Sequence, residues 1–264
     1  MSSINGEQDL KSQYKDSSNL SARASIYGFA TSGPSWPTWV FDQVLGEIPG
    51  EAEVLEIGCG PGALWKTNLP RVPQGWRIIL SDLMPGMIAE ARARLGGDER
   101  FSFMQMNAQR LALPDRSVDA VIANHMLYHV ADLPAAVREI RRVLRPGGKL
   151  LAGTNSEQHL RRMKQLIGQY MGEASPFAGE MPFSLENGEG ILRGGFEHVT
   201  KRTLRGELRV TEVEAVVQYV LSVEGAKQVI DGARLDELRR QVTDELASDG
   251  VFVTATEVGV FIAR

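Results

Sequence analysis

Between residues 53 and 155, short apolar runs typical of strands alternate with amphipathic helical patterns. One helical stripe, for example, consists of Met87, Ala91 and Leu95. A chain with this order of elements buries its strands in a mostly parallel sheet that helices cover on both faces. The strand-like runs span residues 53–57, 76–82, 101–107, 118–124 and 149–155.

The rhythm changes beyond residue 155. An apolar helical stripe leads into a Gly- and Pro-rich stretch, and we interpret residues 156–195 as an insertion that forms a helical lid over a substrate. Residues 196–210 are again strand-like, and the β-rich end of the chain predicts a last strand that is antiparallel and at or near a sheet edge. The polar start predicts a flexible N-terminal segment or lid over residues 1–30, followed by one domain over 31–264.

Composition narrows the class of partner. A chain of 264 residues that is 43% hydrophobic can bury one large core, and a net charge of −4 offers no basic footprint for nucleic acid. No run approaches the roughly 18 apolar residues that span a bilayer. With one cysteine and no hydrophobic leader, we expect a cytoplasmic protein with a small-molecule partner. No residue cluster predicts a metal, and the sequence is compatible with a monomer or a homodimer.

The stretch "EVLEIGCGPGALW", residues 53–65, predicts a ligand site. Gly58, Gly60 and Gly62 follow directly on a strand and open a helix, where missing side chains let a ligand approach the backbone N–H groups. With Ala63 the string also satisfies the relaxed dinucleotide pattern, so a nicotinamide or flavin cofactor is an alternative at this point.

Two carboxylates accompany this loop. Glu56 lies two residues before the first glycine, where its charge would repel a pyrophosphate and attract an ammonium group. A zwitterionic amino-acid moiety therefore fits better than a dinucleotide. Asp82 ends the next strand, at the position where such folds bind a ribose diol with either cofactor.

At this point four motifs resemble those of class I S-adenosylmethionine-dependent methyltransferases. They are "VLEIGCGPG", "SDLMPGMI", "LALPDRSVDAVIANHMLYHV" and "VREIRRVLRPGGKLL", which together cover about residues 50–155. The resemblance implies a Rossmann-like fold with a seven-stranded, mostly parallel sheet of order 3-2-1-4-5-7-6, in which strand seven is antiparallel. It also implies S-adenosylmethionine as the cofactor and S-adenosylhomocysteine as the product.

The same resemblance implies a set of cofactor-binding residues. Glu56 would lie near the methionine ammonium, and Asp82 would bind the ribose hydroxyls. The N-terminal segment resembles that of small-molecule methyltransferases, so Arg23 would pair with the methionine carboxylate; a surface arginine is the alternative. The remaining residues are Gly58, Cys59, Gly60 and Gly62 in the loop, Leu83, Asn107, Ala108 and Gln109 around the adenine, and Asn124 beneath the sulfonium.

The segment "NHMLYHV" supplies the candidate catalytic residues. His125, Tyr128 and His129 follow the fourth strand, at the sheet edge where open α/β folds bind ligands. A histidine is well suited to act as a general base near neutral pH, although each could instead bond to backbone. We interpret Tyr128 as a pocket wall. His159 shows no partner spacing and is left unassigned.

These motifs and residues predict a transferase that moves a methyl group to O, N or C of a small molecule such as a secondary metabolite. The residues "NHML" after the fourth strand lack the prolines typical of enzymes that methylate nucleobases or glutamine amides. Two alternatives are a protein of this fold that binds the cofactor for a non-methylating or regulatory role, and a dinucleotide-dependent oxidoreductase.

Overall fold

The structure is a computed structural model that describes residues 23–264, so most of the predicted N-terminal segment lies outside the described residues. Its strands are β1 Glu51–Ile57, β2 Gly75–Asp82, β3 Phe101–Gln105, β4 Val118–Asn124, β5 Leu144–Asn155, β6 Val199–Val210 and β7 Phe252–Ala263. They form one seven-stranded sheet in the order β3-β2-β1-β4-β5-β7-β6. The predicted fold and strand order are confirmed.

Strand β7 pairs antiparallel with both β5 and β6, whereas the first five strands pair in parallel. It therefore lies one strand inside the edge, which β6 forms. Strand β5 begins five residues earlier than predicted, since Leu144 pairs with Val118 before the register shifts and Lys149 pairs with Ala120. The Pro-Gly-Gly run at residues 146–148 is typical of a turn, so the sequence did not predict a strand before residue 149.

Helices cover the sheet on both faces. The helices are α1 Trp36–Glu47, α2 Ala63–Asn68, α3 Pro85–Leu95, α4 Leu133–Val143, α5 Arg161–Met171, α6 Gly188–Leu192, α7 Val213–Leu221, α8 Ala226–Val229 and α9 Gly232–Asp249. Helices α1, α2 and α3 bury one face of the sheet, and α4 and α6 bury the other. Helices α5, α7, α8 and α9 build a third apolar cluster that includes Ile26 and the ends of β6 and β7.

The 156–195 insertion uses its large apolar side chains for packing. Phe183 is fully buried against Phe261 of β7, and Thr154 of β5 donates a hydrogen bond to the Phe183 carbonyl at 2.8 Å. Met163 and Tyr170 are buried in the helical cluster. Movement of this segment as a lid stays a prediction.

Within residues 23–264, none of the helices combines the length and the apolar character that crossing a bilayer requires. Strands β1, β2, β4 and β5 run in parallel, so their carboxyl ends meet at one edge of the sheet. The predicted site residues other than Arg23 lie at or just after the carboxyl ends of β1, β2, β3 and β4, and the fold therefore gathers them at this edge.

Candidate active site

The glycine loop after β1 has a left-handed backbone at each glycine. The φ angles are 64° at Gly58, 55° at Gly60 and 77° at Gly62. A Cβ atom on Gly58 would lie 2.6 Å from Met126 Cβ, and one on Gly62 would lie 2.8 Å from Leu95 Cδ1. A Cβ atom on Gly60 would meet no atom within 4 Å. Gly60 alone among the three therefore faces open space, where a ligand can approach the backbone.

The different space around Gly58 and Gly60 predicts different effects of an alanine at each position. We expect Gly58→Ala to lower the free energy of unfolding by about 2–4 kcal/mol, since it adds a clash to the left-handed strain. Gly60→Ala adds only the strain, about 1–2 kcal/mol, but places a methyl group in the open space and so weakens S-adenosylhomocysteine binding. Urea unfolding and calorimetry measure the two effects. Equal losses of stability would contradict this assignment.

Asp82 holds the glycine loop in place. Its Oδ2 accepts a hydrogen bond from Gly60 N–H at 2.9 Å, and its Oδ1 accepts one from Met84 N–H at 2.8 Å. The loop is also tied to β2 by the bond from Cys59 N–H to the Ser81 carbonyl at 2.9 Å. Because each carboxylate oxygen has further lone pairs, Asp82 can also accept hydrogen bonds from a ligand diol.

Glu56 is a buried acid at the end of β1. It is 2% exposed, and the Trp65 indole donates a hydrogen bond to its Oε2 at 2.5 Å. Burial raises the pKa of Glu56 to about 8, and the nearby Asp82 carboxylate adds to this increase. Two adjacent carboxyl groups in a region of low polarity favour a cationic ligand group, such as an ammonium.

The predicted adenine segment is already organised by its own polar groups. Asn107 Oδ1 accepts a hydrogen bond from Gln109 N–H at 2.8 Å, and Gln109 Oε1 accepts one from Asp132 N–H at 2.6 Å. The Asn107 oxygen expected to contact adenine thus keeps one lone pair for a ligand. Ala108 is buried, and Leu83 is half-buried beside them.

These residues fit the cofactor that the sequence implies. Glu56 can bind the ammonium of the cofactor, and Asp82 can bind its ribose diol. Gly60 leaves space for the part of the cofactor that joins these two groups. The Cys59 thiol donates to the Gly60 carbonyl at 3.3 Å, and burial raises its pKa far above the ordinary value. Cys59 therefore contributes its backbone to the loop, and its thiol stays protonated.

The end of β4 is fixed by α1 and β5. The Trp36 indole donates a hydrogen bond to Asn124 Oδ1 at 3.0 Å, and a Cβ atom on Gly153 would lie 2.8 Å from that oxygen. His125 donates its backbone N–H to the Gly153 carbonyl at 2.9 Å. Its φ of 55° is rare outside glycine and costs about 1–2 kcal/mol, a strain that is often found at functional sites.

The three candidate catalytic residues form one aromatic group beside the loop. The His125 ring lies 4.8 Å from the Trp36 ring and 6.4 Å from the Tyr128 ring, and the Tyr128 and His129 rings are 4.5 Å apart. Burial lowers the pKa of both His125 and His129 to about 4. Both imidazoles are therefore neutral at pH 7, and each is a weaker base than a free histidine as long as its ring stays buried.

Arg23 lies on the same side of the molecule. Its positive charge further lowers the pKa of His129 and acts on the hydroxyls of Tyr27 and Tyr219. It is half-buried beside these groups rather than on an outer surface. Its pairing with a methionine carboxylate stays a prediction.

Two further residues, His159 and Tyr27, lie beside this group and were not predicted as site residues. His159 is 4% exposed and lies close enough to His125 for their charges to interact, and its Nε2 is 2.9 Å from the Tyr27 hydroxyl. His159 follows β5 by four residues, at the sheet edge that also carries His125. This position just after a strand end is the sequence signal that indicates a site residue.

Residues 55–152 match the model of a family described as a methyltransferase domain. The ubiquinone/menaquinone biosynthesis C-methyltransferase UbiE of Hahella chejuensis is 32% identical over 149 residues, which cover 55% of this chain and 59% of that protein. The chain thus spans about three fifths of the length of this curated relative.

Two solved structures share the fold. Phosphoethanolamine N-methyltransferase 2 of Haemonchus contortus, in complex with phosphomonomethylethanolamine and S-adenosylhomocysteine, has a TM-score of 0.59 and 19% identity, with 100% of this chain and 60% of that chain covered. The (4+2)-cyclase SpnF has a TM-score of 0.59 and 17% identity, with 97% and 96% covered. The sheet order, the glycine loop with its two carboxylates and the matched segment agree: residues 55–152 resemble a methyltransferase domain, the chain has the fold of the class I S-adenosylmethionine-dependent methyltransferases, and these likenesses support S-adenosylmethionine as its cofactor.

Proposed function

We propose that this protein transfers a methyl group from S-adenosylmethionine to O, N or C of a small-molecule acceptor. The observation that carries the proposal is the aromatic group of Trp36, His125, Tyr128 and His129, which adjoins the glycine loop. Met126, in the middle of this segment, contacts the loop at Gly58. An acid-lined cofactor region and an aromatic region thus meet at one edge of the sheet.

The proposed chemistry depends mainly on position. The bound cofactor supplies a methyl group on a positively charged sulfonium, and aromatic ring faces such as that of Trp36 attract cations. The hydrogen bond from Trp36 to Asn124 and the left-handed backbone of His125 fix the position of the aromatic group. Correct placement of an acceptor against the aromatic group lowers the activation free energy by up to about 7–11 kcal/mol.

A base completes the proposal when the acceptor loses a proton. His129 is the first candidate, because its ring is neutral at pH 7 and packs on the edge of Tyr128. His125 is the second, since its ring is neutral as well and contacts Trp36. The proposed role is to accept the acceptor's proton as the new bond to the methyl carbon forms.

The names of the relatives suggest which acceptors to test. The Hahella protein is named a C-methyltransferase of quinone biosynthesis, and the Haemonchus protein is named an N-methyltransferase. We therefore expect radiolabel from S-adenosylmethionine to reach one of three probes: naphthohydroquinone for carbon or oxygen, catechol for oxygen, or benzylamine for nitrogen. Calorimetry should detect S-adenosylhomocysteine binding and none of NADH.

Two results would contradict the proposal. Binding of NADH in place of S-adenosylhomocysteine would indicate an oxidoreductase. Binding of S-adenosylhomocysteine without label transfer to any probe or to a broader metabolite panel would favour use of the fold for another reaction, as the name of the cyclase SpnF illustrates for that protein.

A further inference from the structure

A buried histidine and a tyrosine that are 132 positions apart in sequence form a hydrogen-bonded pair beside the aromatic group. The hydroxyl of Tyr27 is 2.9 Å from His159 Nε2, and the two rings stack with centroids 6.2 Å apart. Neither residue belongs to the four motifs that cover residues 50–155. The pair nevertheless lies at the same end of the sheet, because His159 is close to His125 and Tyr27 is close to Tyr128.

The hydrogen bonds determine which nitrogen of His159 carries the proton. The backbone N–H of Glu257 in β7 donates to His159 Nδ1 at 3.1 Å, so Nδ1 must be unprotonated. A neutral imidazole then carries its proton on Nε2, and burial keeps the ring neutral by lowering its pKa to about 3. Nε2–H therefore donates to the Tyr27 oxygen, and the Tyr27 hydroxyl hydrogen is directed elsewhere.

The backbone around His159 leaves the ring little freedom. Its N–H donates to the Ser156 carbonyl at 3.0 Å, and the next residue, Leu160, donates to the Ala255 carbonyl of β7 at 2.9 Å. Leu160 has a left-handed backbone with a φ of 51°, which turns the chain into α5. Two bonds to β7, through Leu160 and through the imidazole, thus fix the direction of Nε2–H.

Tyr27 is anchored through its own backbone segment. It lies in a 3₁₀ turn, Ile26–Phe29, whose Ile26 is 1% exposed in the helical cluster. Ala30 forms a bridge with Leu208 of β6, and Thr31 N–H donates to the Glu207 carbonyl at 3.3 Å. The Tyr27 residue stays 43% exposed, whereas its hydroxyl lies against the buried His159 ring. Burial raises the pKa of this hydroxyl well above its ordinary value, so it keeps its proton and can donate it in a hydrogen bond.

We propose that Tyr27 donates a hydrogen bond to an oxygen atom of the methyl acceptor, and that His159 is the residue that positions it. This inference rests on the proposed function and narrows the acceptor to molecules with a carbonyl, phenolic or enolic oxygen. Among residues 23–264, the hydrogen-bond partner of the Tyr27 hydroxyl is His159. In this bond the Tyr27 oxygen is the acceptor. Donation from Nε2–H polarises the tyrosine O–H and strengthens its bond to an acceptor oxygen.

Binding of nitrocatechol tests the inference without turnover. Its absorbance reports the state of its phenolic oxygen, and it can be titrated into the protein saturated with S-adenosylhomocysteine. We expect Tyr27→Phe to weaken nitrocatechol binding about 10-fold, the effect of one lost hydrogen bond, and to leave S-adenosylhomocysteine affinity unchanged. Tyr170→Phe is the matched control, since that hydroxyl bonds to Gln241 in the helical cluster.

Two substitutions of His159 separate positioning from packing. His159→Asn places an oxygen near Nδ1 that can still accept from Glu257 N–H but removes the donor to Tyr27, whereas His159→Gln can present an amide N–H near Nε2. We expect His159→Asn to weaken nitrocatechol binding as Tyr27→Phe does, His159→Gln to retain most of it, and the Tyr27→Phe/His159→Asn double variant to lose no more than the single ones.

Three outcomes would overturn the inference. The wild-type protein could bind no nitrocatechol, the Tyr27→Phe variant could bind it as tightly as the wild type, or that variant could lose S-adenosylhomocysteine affinity instead, which would assign the hydroxyl to the cofactor. Label transfer to benzylamine alone would also overturn it while supporting the proposed function. Failure of the function itself differs, because the wild-type protein would then transfer no label to any probe.

Discussion

Replacing Glu56 by Gln should weaken binding of S-adenosylhomocysteine about 10- to 100-fold, the effect of losing a charged hydrogen bond to the ligand ammonium. Glu56 is buried, and a Gln can still accept the hydrogen bond from the Trp65 indole. The fold should therefore persist. Calorimetry measures the affinity, and Glu51→Gln at the exposed start of the same strand is the control.

The pH dependence of binding tests the same charge. With a pKa of about 8, Glu56 is mostly protonated at pH 7 and must lose its proton to pair with an ammonium. Affinity should therefore increase as pH rises from 6 to 8, by about tenfold per pH unit at the low end, and the proton should be released to buffer. The Glu56→Gln variant should lack this slope, and a wild-type affinity independent of pH would contradict the assignment.

Stability should change in the opposite direction. The folded chain keeps Glu56 protonated up to about pH 8, whereas the unfolded chain loses this proton near pH 4.5. Between these values the folded state binds more protons, so the contribution of Glu56 to the free energy of unfolding decreases as pH rises. Urea unfolding at about pH 5 and about pH 8, near the two ends of this range, should show that Glu56→Gln removes that contribution.

The second large effect is expected at His129. We expect His129→Gln to lower kcat about 10²- to 10⁴-fold for an acceptor that must lose a proton, because the neutral imidazole that takes this proton is gone. The affinity for S-adenosylhomocysteine should change little. Steady-state kinetics with the acceptor found in the label-transfer experiment measures the loss. His198→Ala is the matched control, since His198 is exposed near the start of β6.

His125 needs a different substitution. Its backbone is left-handed, a conformation that Asn tolerates better than most residues, so His125→Asn removes the imidazole with the least backbone strain. Loss of turnover in His125→Asn together with full turnover in His129→Gln would assign the base to His125. Full turnover in both variants would show that catalysis uses position alone or another group.

Much of the fold could be predicted because its determinants are local. The apolar runs and helical stripes have their own periods, and five of the six strands that were given a numbered start begin within about three residues of it. The exception is β5, whose first residues pair across a register shift that no local pattern encodes. The glycine loop could be predicted for the same reason, since Glu56, Gly58 and Gly60 lie within five residues of one another along the chain.

The acceptor side depends on contacts between distant segments. Trp36 meets Asn124 only because Gly153 of a third segment has no side chain there, and Tyr27 meets His159 across 132 positions. The apolar residues of the 156–195 segment are compatible both with a lid and with a layer packed on the sheet. Only the folded structure shows that Phe183 is buried.

The alternation of strands and helices and the glycine loop with its two carboxylates follow from the sequence by itself, because each depends on residues that are near neighbours along the chain. The strand order and the class of cofactor were predicted from the resemblance of the four motifs. The tertiary structure decided which histidines share a site, which tautomer His159 adopts and which glycine faces open space. These properties arise from burial and from bonds between strands that the sheet brings together. Local patterns do not contain them, since the sheet alone sets which strand ends become neighbours.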